Sequence, residues 1–428
     1  MAVRNVVVDW GGQSLRNLGD LAMLLVAVRR LEHLFPGVQI HVATHAPEAF
    51  LRVCPHAFPL LEDALQALFW RRLIPGRIHD VCPFLGRIED VALRRWPLAV
   101  LNGRIRRCLR DPAMAATTRA ALNVLYEADL VVAAGGGYLN DVFPGHARRV
   151  LGLLETALHL GKPVALFGQG IGPIRDRHLG ALAGNVLRRA CLIAVREERH
   201  GPALLRDLGV AEDRLYLTGD DALAWVDPPP DPEPGREGAG RIGWNVRLAR
   251  YSGDGIAPWQ EVARRVSSFA RAHGTRLLPC PVDVGHPDGD DASARAVLEE
   301  ADLLEDPAPP STPEDLVRRI ARCRIMVTAS YHAAVFALGM GIPTVCLART
   351  EYYRGKFQGL VDAFGDVCLL VGWEGSDPLP EVGPSLVRAW GVGDEARERA
   401  RGITADLVGR SRAAYDALAC RIEERRYR

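Results

Sequence analysis

The sequence predicts an α/β protein of two domains, each built on a parallel, doubly wound sheet. Short apolar runs alternate with stretches whose apolar residues recur at helical spacing, and most of the runs end in glycine-rich or polar turns. A proline- and glycine-rich segment over 227–240 separates two such series. With 428 residues, the chain is also longer than one hydrophobic core usually serves.

These observations predict the domain boundaries. We expect an N-terminal Rossmann-like domain over 1–226, a linker over 227–240 and a C-terminal Rossmann-like domain over 241–393. A final segment over 394–428 has the apolar spacing of an amphipathic helix, and we expect it to pack back on the first domain.

Composition excludes several functional classes. Apolar residues make up 48% and charged residues 25% of the chain, and the net charge is +1, so no global basic field favours nucleic acid or an anionic membrane. No apolar run reaches the roughly 18 residues of a transmembrane helix, and the first residues lack a signal-peptide pattern. We therefore expect a cytoplasmic protein with no transmembrane segment and no nucleic-acid partner.

The cysteines do not indicate a cross-linked or metal-binding fold. There are nine, an odd number, and none forms a CxxC pair. Buried free thiols explain them better than disulfides or a zinc site.

The first elements along the chain are a strand and a helix. Asn5 to Asp9 predicts a strand, and apolar residues at helical spacing begin after Asn17 and Asp20. A helix start that faces a strand end lies on the ligand side of an α/β sheet. Asn17 and Asp20 are therefore candidates for the acceptor side or cleft, and equally for ordinary helix caps. The arginine-rich stretch over 45–110 predicts no specific role.

Two later strand ends are rich in glycine. Leu130 to Ala134 predicts a strand that runs into three glycines, and Val164 to Phe167 runs into a second such turn. Glycines at these positions indicate close approach of the backbone to a ligand or to another strand. Neither segment has the P-loop or the full dinucleotide-binding pattern. The candidates for the acceptor side or cleft here are Gly136, Gly137, Asn140, Gln169 and Gly170.

Further predicted strands deliver polar residues to their carboxyl ends. Leu192 to Val195 is followed by Arg196, and the first strand of the second domain, Arg241 to Val246, carries Asn245 and precedes Arg247.

A polar turn follows in the second domain. His286 and Asp288 lie within a glycine- and proline-containing segment before a helix. A histidine and aspartate cluster could bind a metal, but a turn with helix-capping acids is the better interpretation, so no metal site is predicted. Both residues remain candidates for the cleft.

The most informative stretch runs over 325–360. An apolar strand ends before Ser330, the predicted N-cap of a helix that carries Tyr331 and His332 in its first turn. Backbone N–H groups at a helix start favour an anion, so His332 would lie beside a bound phosphate or carboxylate. The helix should stop near Gly339 to Gly341, before a second strand from Thr344 to Leu347.

A polar and aromatic loop is expected next. It contains Glu351, a cleft candidate, and Lys356, one of only two lysines in the chain. A lysine retained among so many arginines is a candidate phosphate-binding ammonium.

Seven segments in chain order resemble the polysaccharide pyruvyl transferase family. They are NLGDLAM, AGGGYLND, GQGIGPI, AVREERHGPALLRDLGV, TGDDAL, the strand with Asn245 and Arg247, and SYHAAVFALGMGIPTVCL. The resemblance covers most of the chain. It implies a fold similar to GT-B glycosyltransferases, in which two Rossmann-like domains face a cleft.

The resemblance also implies an activity. Members of this family transfer a pyruvyl group from phosphoenolpyruvate to two sugar hydroxyls as a cyclic ketal. His332 matches the family histidine that acts as general acid, and Arg196 matches a donor-site arginine. The implied partners are a small-molecule or glycan acceptor and a phosphorylated donor, with phosphoenolpyruvate as co-substrate and no other cofactor. The expected donor side comprises Arg196, Ser330, Tyr331, Asn245, Arg247 and Lys356.

One residue departs from the family pattern. Where members with pyruvyl transfer commonly have S-R-L-H, this chain has Ala329, Ser330, Tyr331 and His332, so Ser330 replaces an arginine. A neutral hydroxyl loses a bidentate, charge-assisted contact to phosphate or carboxylate. Two alternatives therefore stand beside pyruvyl transfer: a GT-B-like transferase that uses a nucleotide sugar or another phosphorylated donor, and a non-catalytic sugar-binding protein.

Overall fold

The computed structural model of the chain describes residues 3–11, 15–69, 84, 91–92, 95–230, 240–248, 256–285, 289–298, 303–305, 307–372 and 379–426. Two compact units are formed by these residues. The first contains Met1–Leu15, Ala27–Leu217 and Arg412–Arg428, and the second contains Arg16–Val26 and Thr218–Ser411.

The first unit is built on a sheet of eight parallel strands. Its order is β3-β2-β1-β4-β6-β7-β8, with β5 paired to β6. The strands are β1 (Asn5–Asp9), β2 (Gln39–Thr44), β3 (Phe58–Leu61), β4 (Leu130–Ala133), β5 (Gly136–Leu139), β6 (Val164–Ile171), β7 (Leu192–Val195) and β8 (Leu215–Leu217).

Helices cover this sheet and form one hydrophobic core with it. The chain order reverses between β1 and β4, and the crevice at such a reversal is where open α/β sheets bind ligands. The helices are α1 (Leu18–Leu34), of which only the part from Ala27 onward belongs to this unit, α2 (Pro47–Val53), α3 (Glu62–Phe69), α4 (Pro97–Arg110), α5 (Pro112–Glu127), α6 (Pro144–His159), α7 (Arg177–Leu187) and α8 (Gly201–Asp207).

The second unit contains a sheet of five parallel strands in the order β10-β9-β11-β12-β13. The strands are β9 (Arg241–Asn245), β10 (Leu277–Pro279), β11 (Cys323–Thr328), β12 (Thr344–Ala348) and β13 (Cys368–Gly372). The helices are α9 (Ala257–Ala272), α10 (Asp290–Ala296), α11 (Pro313–Ile320), α12 (Tyr331–Gly339), α13 (Glu351–Phe364), α14 (Leu379–Trp390) and α15 (Asp394–Arg426).

Both sheets confirm the predicted fold class. Every strand pair is parallel, as expected for strands connected through helices. Every residue of α12 is buried, because this helix lies in the core rather than at its surface. Its position just after β11 is the strand–helix arrangement predicted for 325–360.

The boundary between the units differs from the predicted one. It falls between Leu217 and Thr218, ahead of the proline-rich segment. The short 3-10 helix Asp221–Trp225 belongs to the second unit, where a Cβ on Gly339 of α12 would lie only 2.9 Å from its Leu223 side chain. Residues 231–239 of the predicted linker lie outside the described residues.

The end of the chain returns to the first unit, as predicted. Residues 412–428 of the final segment group with that unit. The Tyr415 ring stacks on Phe167 at a centroid distance of 3.7 Å, and the Arg30 guanidinium lies 5.2 Å from the Tyr415 centroid. These contacts fix the last turns of α15 on strand β6 and on α1.

Two glycine-containing segments differ from their predictions. The residues around Glu351 and Lys356 form α13 rather than a loop, because Thr350 caps the helix and Tyr353, Phe357 and Leu360 bury one face. The triple-glycine segment contains strand β5 instead of a continuous turn. Glycine lowers both helix and strand propensity, so neither element has a strong local signal.

Candidate active site

The turn between β11 and α12 is held by the hydroxyl of Thr328. The backbone N–H of Ser330 donates to this hydroxyl oxygen at 2.8 Å, and the side-chain oxygen of Asn245 lies 3.2 Å from it. Ser330 is the N-cap residue, as predicted, but its side chain makes no capping hydrogen bond. The turn thereby places His332 in the first turn of a buried helix.

His332 lies between two carboxylates. Its Nδ1 atom is 4.0 Å from an oxygen of Asp20, and its Nε2 atom is 3.7 Å from an oxygen of Asp220. The His332 side chain is 8% exposed, and Nε2 is buried with no hydrogen-bond partner among the described residues. Negative charge therefore lies on both sides of the ring, where it can balance the charge of a protonated imidazole.

Gly19 packs directly on the same ring. A Cβ atom at this position would lie 2.1 Å from Cγ of His332 and 2.3 Å from both its Cβ and its Nδ1. No side chain fits in that space, because real Cβ contacts are much longer. The first turn of α1 therefore supports the imidazole through bare backbone.

The segment that carries Gly19 and Asp20 is anchored within the second unit. The side-chain oxygen of Asn17 accepts from the backbone N–H groups of Gly19 and Asp20, both at 3.1 Å. The backbone N–H of Leu18 donates to the carbonyl of Val282 at 2.8 Å. Asn17 is thus a helix cap, one of its two predicted interpretations, whereas Asp20 lies beside His332.

Asp220 is fixed on its other side by a 3-10 helix. One of its oxygens accepts from the backbone N–H of Ala222 at 2.9 Å, which caps the helix Asp221–Trp225. Asp221 accepts from the hydroxyl of Ser411 at 2.5 Å. The TGDD segment therefore places one acidic side chain toward His332 and the next toward α15.

Aromatic rings surround the only lysine of the second unit. The Lys356 ammonium lies 4.3 Å from the ring centroid of Tyr352, 5.8 Å from that of Tyr331 and 5.9 Å from that of Tyr353. Tyr331 in turn lies edge-on to His332, with the ring centroids 5.5 Å apart. Cation–π attraction holds the lysine on the tyrosines. Glu351, at the start of the same helix, is exposed.

Asn245 and Arg247 are committed to bonds within the fold. The amide of Asn245 donates to Asp290 at 2.9 Å, and the Arg247 guanidinium donates to the same carboxylate at 2.9 Å. A second carboxylate, Asp283, lies 2.9 Å from Arg247. The charge of Arg247 is thus already compensated, and its donor-binding role stays a prediction. His286 and Asp288 lie outside the described residues.

Arg196 belongs to the first unit, at the end of β7. Its guanidinium packs over Gly170, where a Cβ atom would lie 2.7 Å from Nε and 2.8 Å from Nη2. The backbone N–H of Arg196 donates to the carbonyl of Gln169 at 3.1 Å. Gly170 therefore leaves the room that this arginine occupies, and Arg196 itself is only 7% exposed.

The other predicted residues of the first unit support its backbone. The amide nitrogen of Gln169 lies 2.8 Å from the carbonyl of Ala134 and 3.1 Å from the hydroxyl of Tyr138. Its amide oxygen is buried with no hydrogen-bond partner among the described residues. A Cβ on Gly136 would lie 2.4 Å from the Tyr138 ring, so the glycine makes room for that tyrosine.

Asn140 closes the turn that follows β5. Its amide donates to the carbonyl of Gly137 at 2.8 Å, and its oxygen accepts from the backbone N–H groups of Val142 and Phe143 at 2.9 and 3.1 Å. Both Asn140 and Gly137 therefore serve the local backbone; their predicted contact with an acceptor is untested.

A buried ion pair lies at the carboxyl end of β1. Arg149 donates to both oxygens of Asp9, at 2.6 and 2.8 Å, and the two side chains are 2% and 0% exposed. His146 stacks on Tyr138 and lies 3.2 Å from Arg149. Burial and the neighbouring Arg149 lower the pKa of His146 to about 4, so it is neutral at physiological pH.

The sequence model of polysaccharide pyruvyl transferases matches residues 17–351. The chain belongs to this family. The match includes His332, both of its carboxylate neighbours and Arg196. No curated protein matches the sequence.

Solved structures share the fold of this pyruvyl transferase family member at low identity. Staphylococcus aureus MnaA, in a structure with UDP, is 12% identical with a TM-score of 0.57, covering 95% of this chain and 94% of its own. Arabidopsis thaliana UGT89C1, complexed with UDP-L-rhamnose, is 12% identical with a TM-score of 0.53, covering 98% and 99%. The UDP-GlcNAc 2-epimerase of Neisseria meningitidis, bound to UDP-GlcNAc, is 12% identical with a TM-score of 0.52, covering 98% and 100%.

The family and the GT-B-like fold together support an enzyme that acts on sugars. In the described part of the chain, no group of three or more histidine, cysteine, aspartate or glutamate side chains is placed to hold a metal ion. None of the described helices is long and apolar enough to cross a membrane.

Three groups described above were absent from the candidates that the sequence supplied: Gly19 and Asp220 in the second unit, and the Asp9–Arg149 pair in the first. Asp220 follows the short strand β8, and a strand-end acid was a usable signal. Gly19 lies within the NLGDLAM segment, but its contact with His332 has no local signal, and Arg149 had no signal at all. Both act through contacts with residues more than a hundred positions away.

Proposed function

We propose that this protein transfers a pyruvyl group from phosphoenolpyruvate to two hydroxyls of a sugar-containing acceptor, forming a cyclic ketal, with His332 as the general acid. The proposal rests on one observation above all. The imidazole of His332 is held between the carboxylates of Asp20 and Asp220, within 4.0 Å of both. Family membership supports the same reaction.

The chemistry requires a proton donor at carbon. A proton from His332 adds to the methylene carbon of phosphoenolpyruvate, which becomes the methyl group, and positive charge develops on the neighbouring carbon. One acceptor hydroxyl attacks that carbon, and a second displaces phosphate from it. One hydroxyl proton returns to His332 and the other leaves with phosphate, so atoms and charge balance.

Several groups beside His332 suit an anionic donor. The first-turn N–H groups of an α-helix have no intrahelical acceptor and lie at the positive end of its dipole. At α12 these groups belong to a helix whose N-cap, Ser330, makes no side-chain cap bond. Lys356, beside Tyr331, adds a nearby positive charge. Arg196 remains the arginine predicted to bind the donor.

A nucleotide sugar is the second candidate donor. Ser330 occupies the position of the family arginine, which removes a charge-assisted contact to phosphoenolpyruvate. Solved structures with the same fold carry UDP or a UDP-sugar. Under this alternative the enzyme would transfer or alter a sugar rather than a pyruvyl group.

Calorimetric titration of the purified protein with phosphoenolpyruvate and with UDP separates the two donors. We expect phosphoenolpyruvate to bind and the Arg196→Ala variant to bind it at least about tenfold more weakly, the loss typical of a charged contact. Binding of UDP alone, with no heat from phosphoenolpyruvate, would reject pyruvyl transfer and favour the second candidate.

Phosphate release from phosphoenolpyruvate, measured with a panel of glycosides and nucleotide sugars as acceptors, tests the role of His332 as the general acid. His332→Gln should lower kcat by about 10²-fold or more, since general acid catalysis contributes typically 10² to 10⁴. His178→Gln, at an exposed position of α7, serves as the matched control and should retain activity. Equal turnover in both variants would exclude His332 as the acid.

A further inference from the structure

The two nitrogens of the His332 ring lie in different surroundings. Nε2 is buried, has no hydrogen-bond partner among the described residues and faces Asp220, whose side chain is 2% exposed. Nδ1 faces Asp20, whose side chain is 19% exposed. The 8% of the His332 side chain that remains exposed lies elsewhere than at Nε2. A substrate therefore has no direct access to Nε2 in this structure.

Asp220 is held in place at the buried end of the ring. One of its oxygens caps the 3-10 helix through the N–H of Ala222 at 2.9 Å, and the other lies 3.7 Å from Nε2. The 3-10 helix packs on α12, where Leu223 and Val226 would lie 2.9 and 2.6 Å from a Cβ on Gly339. Close packing of the two helices fixes the distance between this carboxylate and the imidazole.

The Nδ1 end is arranged differently. Gly19 contacts the ring there without a side chain, and a Cβ on it would lie 2.3 Å from Nδ1. Asp20, the next residue, is the more exposed of the two carboxylates by 19% to 2%. The Nδ1 end of the ring thus has a partly exposed carboxylate and bare backbone beside it, whereas the Nε2 end has a fully buried carboxylate.

We propose that Asp220 is a positioning residue whose carboxylate keeps the proton of the neutral His332 ring on Nε2, so that Nδ1 is the atom that exchanges a proton with the substrate. In this arrangement the imidazolium carries a proton on each nitrogen. Nδ1 releases its proton to the methylene carbon, Nε2–H stays directed at Asp220, and Nδ1 later takes a proton from an attacking hydroxyl. The delivery step rests on the proposed function, whereas the choice of tautomer does not.

The tautomer is measured in the free enzyme. Nitrogen NMR of ¹⁵N-histidine-labelled protein, with the His332 signals assigned by their loss in His332→Gln, distinguishes the proton-bearing nitrogen of the neutral ring. We expect the proton on Nε2. A neutral ring with its proton on Nδ1 would overturn the proposal, whatever the donor proves to be.

Two variants identify the carboxylate responsible. Asp220→Asn keeps an oxygen for the Ala222 cap and removes the charge, and we expect loss of the single Nε2–H tautomer and a kcat reduced by about 10²-fold or more with little change in KM. Asp20→Asn should keep the tautomer. The proposal would be overturned if Asp220→Asn kept the Nε2–H tautomer, or if only Asp20→Asn lost it. Either result would show that Asp220 does not position the ring.

Folding and donor identity are controlled separately. Circular dichroism and thermal unfolding verify each variant, and Asp220→Ser, which also retains an oxygen for the cap, replaces Asp220→Asn if that protein fails to fold. Should phosphoenolpyruvate not be a substrate, the NMR result still decides the tautomer. Should turnover depend on His332 while the tautomer is Nδ1–H, the proposed function stands and this inference fails.

Discussion

Gly19 and His332 are in direct contact, although 313 positions separate them in the sequence. The ring lies against the glycine backbone so closely that a Cβ would approach Cγ to 2.1 Å. Both residues belong to the second unit, because 16–26 groups with it although these residues occur near the start of the chain. The NLGD segment is therefore part of the surroundings of the candidate acid.

Replacing Gly19 with alanine should displace the imidazole without unfolding the protein. The added methyl overlaps three ring and side-chain atoms of His332, and the ring must move by about 1 Å or more to relieve it. A displacement of that size can cost about 10² in rate. We expect this loss in phosphate release from phosphoenolpyruvate, together with shifted His332 NMR signals.

Gly402→Ala is the control for this substitution. Gly402 lies exposed in α15 of the same unit, and a methyl group added there would have nothing within 4 Å. Alanine there should leave activity unchanged and raise the free energy of unfolding by about 0.5–1 kcal/mol. Full activity in Gly19→Ala would show that the imidazole tolerates displacement or plays no part in turnover.

Gly170→Ala should weaken donor binding through Arg196. A methyl group at Gly170 would lie 2.7 Å from Nε of the guanidinium, which is the flexible end of a long side chain and can move away. The expected result is little change in stability and a loss of phosphoenolpyruvate affinity that approaches that of Arg196→Ala, measured by calorimetry. Gly180→Ala, whose methyl would lie 3.9 Å from Ile174, is the matched control in the same unit. If Gly170→Ala binds phosphoenolpyruvate as tightly as the control, donor binding does not require the Arg196 guanidinium to lie over Gly170.

His146 should make stability fall with acid. Burial lowers its pKa in the folded protein to about 4, against 6.5 in the unfolded chain, so between these values only the unfolded state takes up the proton. The free energy of unfolding therefore decreases as pH falls from 6.5 to 4, by at most about 3 kcal/mol from this group. Urea midpoints at pH 7, 6 and 5 measure the slope. In His146→Phe, which keeps a ring on Tyr138, the slope should be shallower, and an identical slope would contradict the assignment.

Local pattern was sufficient for the fold class. The strands Asn5–Asp9 and Leu192–Val195 were predicted to the residue, because each is a short apolar run followed by a polar turn. The predicted strand from Val164 ended at Phe167, whereas β6 continues to Ile171, because the glycines after Phe167 weaken the local strand signal. The helix α13 was mistaken for a loop because Gly355 and Gly359 weaken its local signal, while tertiary burial of Tyr353 and Phe357 overrides it.

The candidate site was predictable only where a strand end or helix start marked it. His332 and Asp20 each lie in the first turn of a helix, a position that the sequence shows. The partnership between them is a tertiary contact and has no local signature. The ion pairs of Arg247 with Asp283 and Asp290 are likewise tertiary contacts that have no local signature in the sequence.

The buried Asp9–Arg149 pair of the first unit should be highly sensitive to the loss of one partner. Both side chains are buried, and the bond is bidentate. Arg149→Met would leave the Asp9 carboxylate buried without its partner, and breaking a buried pair in this way typically costs about 3–5 kcal/mol. Replacing both residues, as Asp9→Leu with Arg149→Met, should recover much of that loss because no uncompensated charge remains.

Arg399→Met provides the comparison at the surface. Arg399 and Glu395 form an ion pair of similar length, 2.7 Å, but the two side chains are 57% and 91% exposed. An exposed pair at this helical spacing contributes about 0.3–0.5 kcal/mol, so urea unfolding should hardly change. If Arg149→Met were as mild as Arg399→Met, water or another group would have to compensate Asp9. A double variant less stable than Arg149→Met would mean that the leucine and methionine cannot pack in the space of the ion pair.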